Sequence, residues 1–551
     1  MNRNDENYYR QIFSAIKSKQ WNVVTSLLAQ RQSGPLHDIV KAEFYLAANS
    51  PKVELGPLLA LLNDAPHIPQ AAQLGRLATR RGATTLPRSP QYRRLSSFSG
   101  VSRRGKPRAV ADNSMPTDTA AAIYDRIKND DPRGAQSLLN GVEGRLSAEA
   151  RTEWQQRVAW SYYIENNDNM ALQMAMRAIQ GRGAWVSEAH WVAGLAAWRL
   201  NDCVRAAQSF QQTASTASNP EMRAAGYYWA ARANMKCRAP ENVQQNMRHA
   251  ASYGETLYGL LARERLGLKA DTRRKPADFS KDDWRALRNN ANVKLAIGLA
   301  EIGETTLADE VLRHQARIGN ASEHESLLRL ARDLSLPTAQ IFMAHNGPSG
   351  ARPDSFARFP SPKWAPVKGW RVDPALVYAH TLQESGFRAN ARSSADARGL
   401  MQVRPGTASD VARSRGERFN VSDLYRPEIN LEYGQTYLEQ LKRMPQTQGL
   451  LPKIIAAYNA GPTPVARWNR EVRDNGDPLL FIESIPYSET RAYVGIILRN
   501  YWMYEDQAGV TSSSAHGLTQ GLWPSFPDRN GSRNIRLTHD DRVTGVQNSG
   551  D

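Results

Sequence analysis

PALVYAHTLQESGFRANARSSADARGLMQ, residues 374–402, decides how the rest of the chain is read. Asp373 and Pro374 form an N-cap followed by a first-turn proline. Leu376, Val377 and Leu382 then recur at helical spacing until Gly386 supplies a stop. This places Glu384 in the last turn of an apolar helix. The bare carbonyls of a helix C-terminus disfavour a carboxylate, and packing against Tyr378 and Phe387 disfavours it further by desolvation. A glutamic acid kept neutral near pH 7 can act as a general acid toward a glycosidic oxygen. The ordinary fate of a glutamate near a helix end is exposure to water, so the assignment depends on residues further along the chain.

Three more segments lie downstream: Gly399-Leu400-Met401-Gln402, then Ala456-Ala457-Tyr458-Asn459-Ala460-Gly461-Pro462, then Ile485-Pro486-Tyr487-Ser488-Glu489-Thr490-Arg491 with Tyr493-Val494. Together with Glu384-Ser385, over about residues 360–507, they resemble in order and spacing the catalytic domain of the soluble lytic murein transglycosylases. That family's catalytic domain is lysozyme-like and related to goose-type lysozyme.

The resemblance implies cleavage of the β-1,4 bond between N-acetylmuramic acid and N-acetylglucosamine in peptidoglycan, without water, leaving a 1,6-anhydro-muramoyl end. Most glycosidases need two carboxylates, whereas a substrate-assisted reaction can work with one. Asp396 is the only other acidic residue between Glu384 and Asp410, and its polar loop points to a solvent-facing role. Glu384 would act first as acid and then as base toward the muramoyl 6-hydroxyl. The resemblance also implies that Ser393 binds the acetamido group, Met401 forms an apolar platform under a sugar, and Gln402 and Tyr458 bond around the reacting centre. Asn459 is expected to tie its own turn, and Ser385 to act as a local cap. Glu483 and Glu489 match carboxylates lining the family's cleft. Glu489 also lies in the first turn of a helix, where a carboxylate is favoured for structural reasons alone.

The fold expected for the whole chain is mainly α, with an N-terminal α-superhelix of tetratricopeptide-like hairpins followed by the lysozyme-like domain. VAGLAAWRL, residues 192–200, recurs loosely as AAGYYWAAR, residues 224–232, at an offset of 32. Polar turns such as Asn166-Asn167-Asp168 and Asn201-Asp202 separate the amphipathic segments, and TLYGLLARERLG, residues 256–267, resembles a segment of the family's superhelix. The expected divisions are a helical segment at 1–79, a disordered basic linker at 80–117, the superhelix at 118–355, the catalytic domain at 356–508 and a disordered tail at 509–551. Residues 278–344 are expected to continue the superhelix.

A net charge of +17 favours a polyanionic partner, but no nucleic-acid-binding motif accompanies it, so glycan strands of peptidoglycan are the expected partner and nucleic acid is not. From Arg80 to Arg108 inclusive there are nine basic residues and no acidic one. No cofactor or metal is expected, since the histidines are scattered and His380 has the character of a core residue. Cys203 and Cys237 leave both a disulfide and two separate thiols open. No run of about 20 apolar residues occurs, so no transmembrane helix is expected. The first residues, MNRNDENYYRQIFSAIKSKQ, lack the apolar core of a secretory signal, yet the periplasm is expected from the substrate. A monomer is expected. Two other functions remain open: a goose-type muramidase hydrolysing the same bond, and a non-catalytic scaffold of the cell wall.

Overall fold

The computed structural model describes residues 1–98, 103–268, 277–351 and 355–527. It divides into two compact units, one joining Met1–Gly100 to Arg274–Lys363, the other joining Val101–Arg273 to Trp364–Arg536. Among the described residues the only strands are Ser96–Ser97 and Asn346–Gly347, paired antiparallel.

In the first unit, five helices between Arg3 and Arg80 share one core with five between Lys281 and His345. Tyr9, Ile12, Val40 and Leu74 meet Val293, Leu299, Leu312 and Ala331 there, all fully buried or within a few per cent of it. Residues 278–344 therefore complete the N-terminal helices, where a continuation of the 118–267 hairpins was expected. Apolar faces identify what is buried but not which distant face covers it.

The second unit begins with antiparallel helical hairpins, from Thr117–Lys128 to Leu257–Arg265. Their turns share one recipe. Asn166 and Asn201 take left-handed conformations after a helix, and Asn167 and Asp202 then cap the next one by accepting from Met170 N and Arg205 N. The repeat at 32 residues has a steric cause. Gly194 lies against the Phe210 ring and Gly226 against the Ala214 backbone, so a Cβ at either would come within 2.5–2.7 Å of its neighbour. Both thereby let the helix Cys203–Thr216 approach closely on its two sides. Cys203 and Cys237 are disulfide-bonded, with Cα atoms 5.6 Å apart, joining the start of that helix to the end of Pro220–Lys236.

The basic stretch at 80–117 is ordered wherever it is described. Arg93 N donates to Arg317 O and Phe98 N to His345 O in the first unit. In the second, Asn219 Nδ2 donates to Arg103 O, Trp185 Nε1 to Arg108 O, and Val110 N to Glu153 Oε2. Local composition reads as disorder here because every partner lies far away in the sequence. The tail differs in the same way: Ser513–Thr519 is helical, Leu451 N donates to Pro524 O, and Phe526 N donates to Gly449 O. The remainder of the expected tail, 528–551, lies outside the described residues.

The rest of the second unit is a helical domain built around Pro374–Ser385, whose Leu376, Val377 and Ala379 are fully buried. The long helix Ser488–Ala508 packs along it, and Tyr501 Oη donates to Asp373 Oδ2 at its start.

Candidate active site

The Pro374–Ser385 helix is capped as expected: Asp373 accepts from Ala375 N, Pro374 opens the first turn, and Gly386 ends the helix at φ 58°. Glu384 sits in its last turn, half-buried. Burial pushes its carboxyl up and the charge of Glu489 adds to this, while a hydrogen bond from Tyr493 draws it back; the balance lies at about 7. Tyr493 Oη donates to Glu384 Oε1 at 2.6 Å.

His380, one turn before the acid, supports that tyrosine. Its Nδ1 is 2.9 Å from Tyr493 Oη, and its ring centre is 4.5 Å from that of Tyr458. Burial holds the imidazole neutral, down to about 3. Since Tyr493 gives its proton to Glu384, His380 donates from Nδ1 and leaves Nε2 as a bare acceptor, which has no partner among the described residues. His380 is thus a core residue, but one that orients the acid's partner.

The Gly-Leu-Met-Gln loop is fixed from two sides. Tyr458 Oη donates to Met401 O at 2.8 Å, and Asn430, fully buried, accepts from Met401 N and donates to Arg398 O and Leu424 O. Gly399 is required there: it has φ 73°, and a Cβ would lie 2.1 Å from Leu424 O. Gln402 also takes a positive φ and donates from Nε2 to Gly399 O at 2.8 Å. Ser393 Oγ accepts from Ala397 N at 3.0 Å, closing the turn that precedes the loop.

Three expected roles need correction. Met401 is fully buried and seats its sulfur against Gly434, where a Cβ would come within 2.1 Å of it, so it is core to the loop and not an exposed sugar platform. Glu483 does not reach the acid's side of the domain: it is 2% exposed, accepts from Tyr258 Oη at 2.6 Å and pairs with Arg104 at 2.5 Å, at the junction with the hairpins. Asn459 reaches beyond its own turn, accepting from Thr490 Oγ1 at 2.6 Å and so tying the AAYNAGP helix to the start of Ser488–Ala508. Ser385 does act locally, donating to Thr381 O. Glu489 is exposed in the first turn of its helix, and its charge also acts on Glu384. Asp396 is half-exposed and paired with Arg392 and Arg398. Among the described residues no cluster of three or more metal-ligating side chains occurs.

Sequence reasoning missed the roles of Tyr493 and Asn430. Tyr493 lay within a quoted motif, one turn after Glu489, which was a usable signal. Asn430, in an unremarkable helix, gave none.

Residues 365–481 match the family model of the transglycosylase SLT domain. The SLT match stops short of Glu483 and of the helix that supplies Tyr493. The soluble lytic murein transglycosylase of Salmonella typhimurium is 34% identical over 138 residues, 24% of this chain and 20% of that protein. The chain thus aligns over about a fifth of the length of this relative. Likeness of fold extends further than likeness of sequence. The 70 kDa soluble lytic transglycosylase of Escherichia coli superposes with TM-score 0.57 and 16% identity, covering 95% of this chain and 99% of that one. An inactive mutant of the lytic transglycosylase Slt from Pseudomonas aeruginosa gives TM-score 0.54 and 22% identity, with 89% and 76% covered. The superhelical and lysozyme-like architecture of these neighbours is the architecture here.

Proposed function

We propose that this protein is a lytic transglycosylase that cleaves the β-1,4 bond between N-acetylmuramic acid and N-acetylglucosamine in peptidoglycan and leaves 1,6-anhydro-muramoyl ends. The observation that carries the reading is Glu384, a single half-buried carboxyl balanced at about 7 and bonded to Tyr493. Protonated, it gives its proton to the leaving oxygen as the bond to C1 breaks. The carboxylate that remains is held by the Tyr493 hydroxyl and takes the proton of the muramoyl 6-hydroxyl as that oxygen bonds to C1. The acid is restored and no water is consumed. A group poised near neutrality suits both halves of such a cycle.

Two other carboxylates support one acid acting alone. Asp396 is committed to two arginines and Glu483 is buried elsewhere. Ser393, on the turn after the acid, is assigned to the acetamido group, and Gln402 and Tyr458 to holding the loop beside the reactive sugar. Among the described residues no helix is long and apolar enough to cross a membrane. The substrate assigns the site of action to the periplasm.

Glu384→Gln keeps shape and hydrogen bonding but removes the ionisable proton. Digestion of purified peptidoglycan should slow at least about 100-fold. Mass spectrometry of the wild-type digest should show anhydro ends. Reducing ends in their place would make the enzyme a muramidase, and undiminished cleavage by the variant would remove Glu384 from the mechanism.

A further inference from the structure

The helix Ser488–Ala508 turns Tyr493 and Glu489 towards Glu384. On another face Ser488, Arg491, Ala492, Gly495 and Ile496, at three-and-four spacing, line a cavity of about 90 Å3. The facing wall comes from the hairpin helices and the basic segment, through Gln156, Glu188, Trp191, Arg104 and Lys106.

Two carboxylates in this wall are matched. Glu483 pairs with Arg104 at 2.5 Å and Glu221 with Arg499 at 3.1 Å. Lys106, Arg491 and Glu188 form no ion pair among the described residues. Arg491 donates to Ile485 O and lies 4.3 Å over the Trp160 ring, which leaves the rest of its guanidinium uncommitted to any carboxylate. Burial raises the Glu188 carboxyl, against the pull of Arg104, Arg491 and Lys106. Burial lowers the Lys106 ammonium to about 8, and the charges of Arg491 and Arg157 add to this. Trp191 Nε1, also in this wall, is a buried donor without a partner.

Opposite charges free to collapse together in a partly desolvated space would do so. Here Arg491 and Glu188, on two helices, and Lys106, on the exposed basic segment, surround one cavity without pairing. The void has room for several waters or for a small polar group. Gly105, Lys106 and Ser488 are exposed, so the cavity opens toward solvent on that side. An α-amino-acid head group has the matching size and charges.

We propose that this cavity is a second binding site, which takes the zwitterionic head of an amino acid, its carboxylate shared by Lys106 and Arg491 and its ammonium on Glu188. The head is that of a free amino acid or of a peptide that displays one, as the far end of a diaminopimelate residue does; the body of the ligand then leaves past Gly105. The site rests on its own residues and not on the proposed reaction.

Isothermal titration calorimetry on the full chain tests this with two probes: D-alanine, and L-alanyl-γ-D-glutamyl-meso-diaminopimelate. At least one should bind one-to-one. Equal binding of both identifies the free head as sufficient, and binding of the tripeptide alone identifies the peptide as the source. For D-alanine, N-acetyl-D-alanine and D-alaninamide each lack one charge. For either probe, Lys106→Met and Glu188→Gln each remove one partner. Each change should weaken binding at least about tenfold. Lys106 stands on an exposed segment, so its substitution keeps the test valid if Glu188→Gln fails to fold. No binding of either probe at millimolar concentration overturns the proposal, and so does binding indifferent to both substitutions. The second result would place the ligand elsewhere on the protein, including the cleft beside Glu384.

Discussion

Tyr493→Phe removes one hydroxyl and leaves the ring that packs beside His380. The lost bond is 2.6 Å long, ends on a carboxylate and holds the acid below the value that burial and Glu489 would otherwise give it. Hydrogen bonds to charged groups contribute about 1.5–3 kcal/mol, and 1.36 kcal/mol corresponds to about one pH unit. Glu384 is only half-buried, so water recovers part of the loss. The protonated form should therefore persist about one unit further into the alkaline range. The reaction starts from the protonated acid, so in the wild type kcat/KM should fall as pH rises through about 7. In the variant that descending limb should move to higher pH by about one unit. The plateau should drop about tenfold, because the carboxylate formed during bond cleavage has lost its donor. The assay is release of soluble muropeptides from purified peptidoglycan at a series of pH values. A limb that stays in place, or moves to lower pH, would refute the assigned part of Tyr493 in setting the acid.

The same carboxyl should cost stability. Its value is raised from 4.5 to about 7 in the folded chain, so over that window the unfolded chain loses the proton first and stability falls as pH rises. The loss is complete above about pH 7 and amounts to about 3 kcal/mol at most. Glu384→Gln should remove this part of the slope, resisting urea better than the wild type at pH 8, with the gap closing toward pH 4.5; parallel pH dependences would contradict it. Asn430→Ala strips three buried partners from the loop that carries Met401 and should cost about 2–4 kcal/mol, seen as a lower Tm together with slower cleavage. An unchanged Tm would mean the loop is held by Tyr458 alone. Replacing Cys203 and Cys237 with serine opens a link spanning 34 residues and should lower unfolding stability by about 4 kcal/mol. A urea midpoint that does not respond to the change would show that the hairpins need no such tie.

The parts legible in the sequence were those whose cause is local. The Glu384 helix announces itself through Asp373, Pro374 and Gly386, and the hairpin repeat through Gly194 and Gly226, because caps, stops and close approaches act over a few residues. Depth and partnership were not legible. Glu483 matches a cleft-lining carboxylate of the family, yet its direction is set by Arg104, 379 residues away. Met401 reads equally well as platform or core until Gly434 is seen to leave room for its sulfur. The basic stretch has the composition of a tether because its carboxylates and ring partners are supplied by other helices. Tyr493 shows the opposite case, a residue plainly inside a motif whose task became visible only when its oxygen met Glu384.

The buried contact between Arg104 and Glu483 also bears on where this chain can be cut. A fragment beginning near residue 360 would contain all of the SLT match and keep Glu384, yet it would strand Glu483 without its cation and Arg491 without its Trp160 shelf. Removing one member of a buried pair costs about 3–5 kcal/mol, a large share of what holds a domain of that size together. Transplanting the SLT-matched module therefore means transplanting its hairpins and the short basic segment with it. Inheritance of this chain by recombination faces the same constraint, for the cooperative unit is wider than the homologous one.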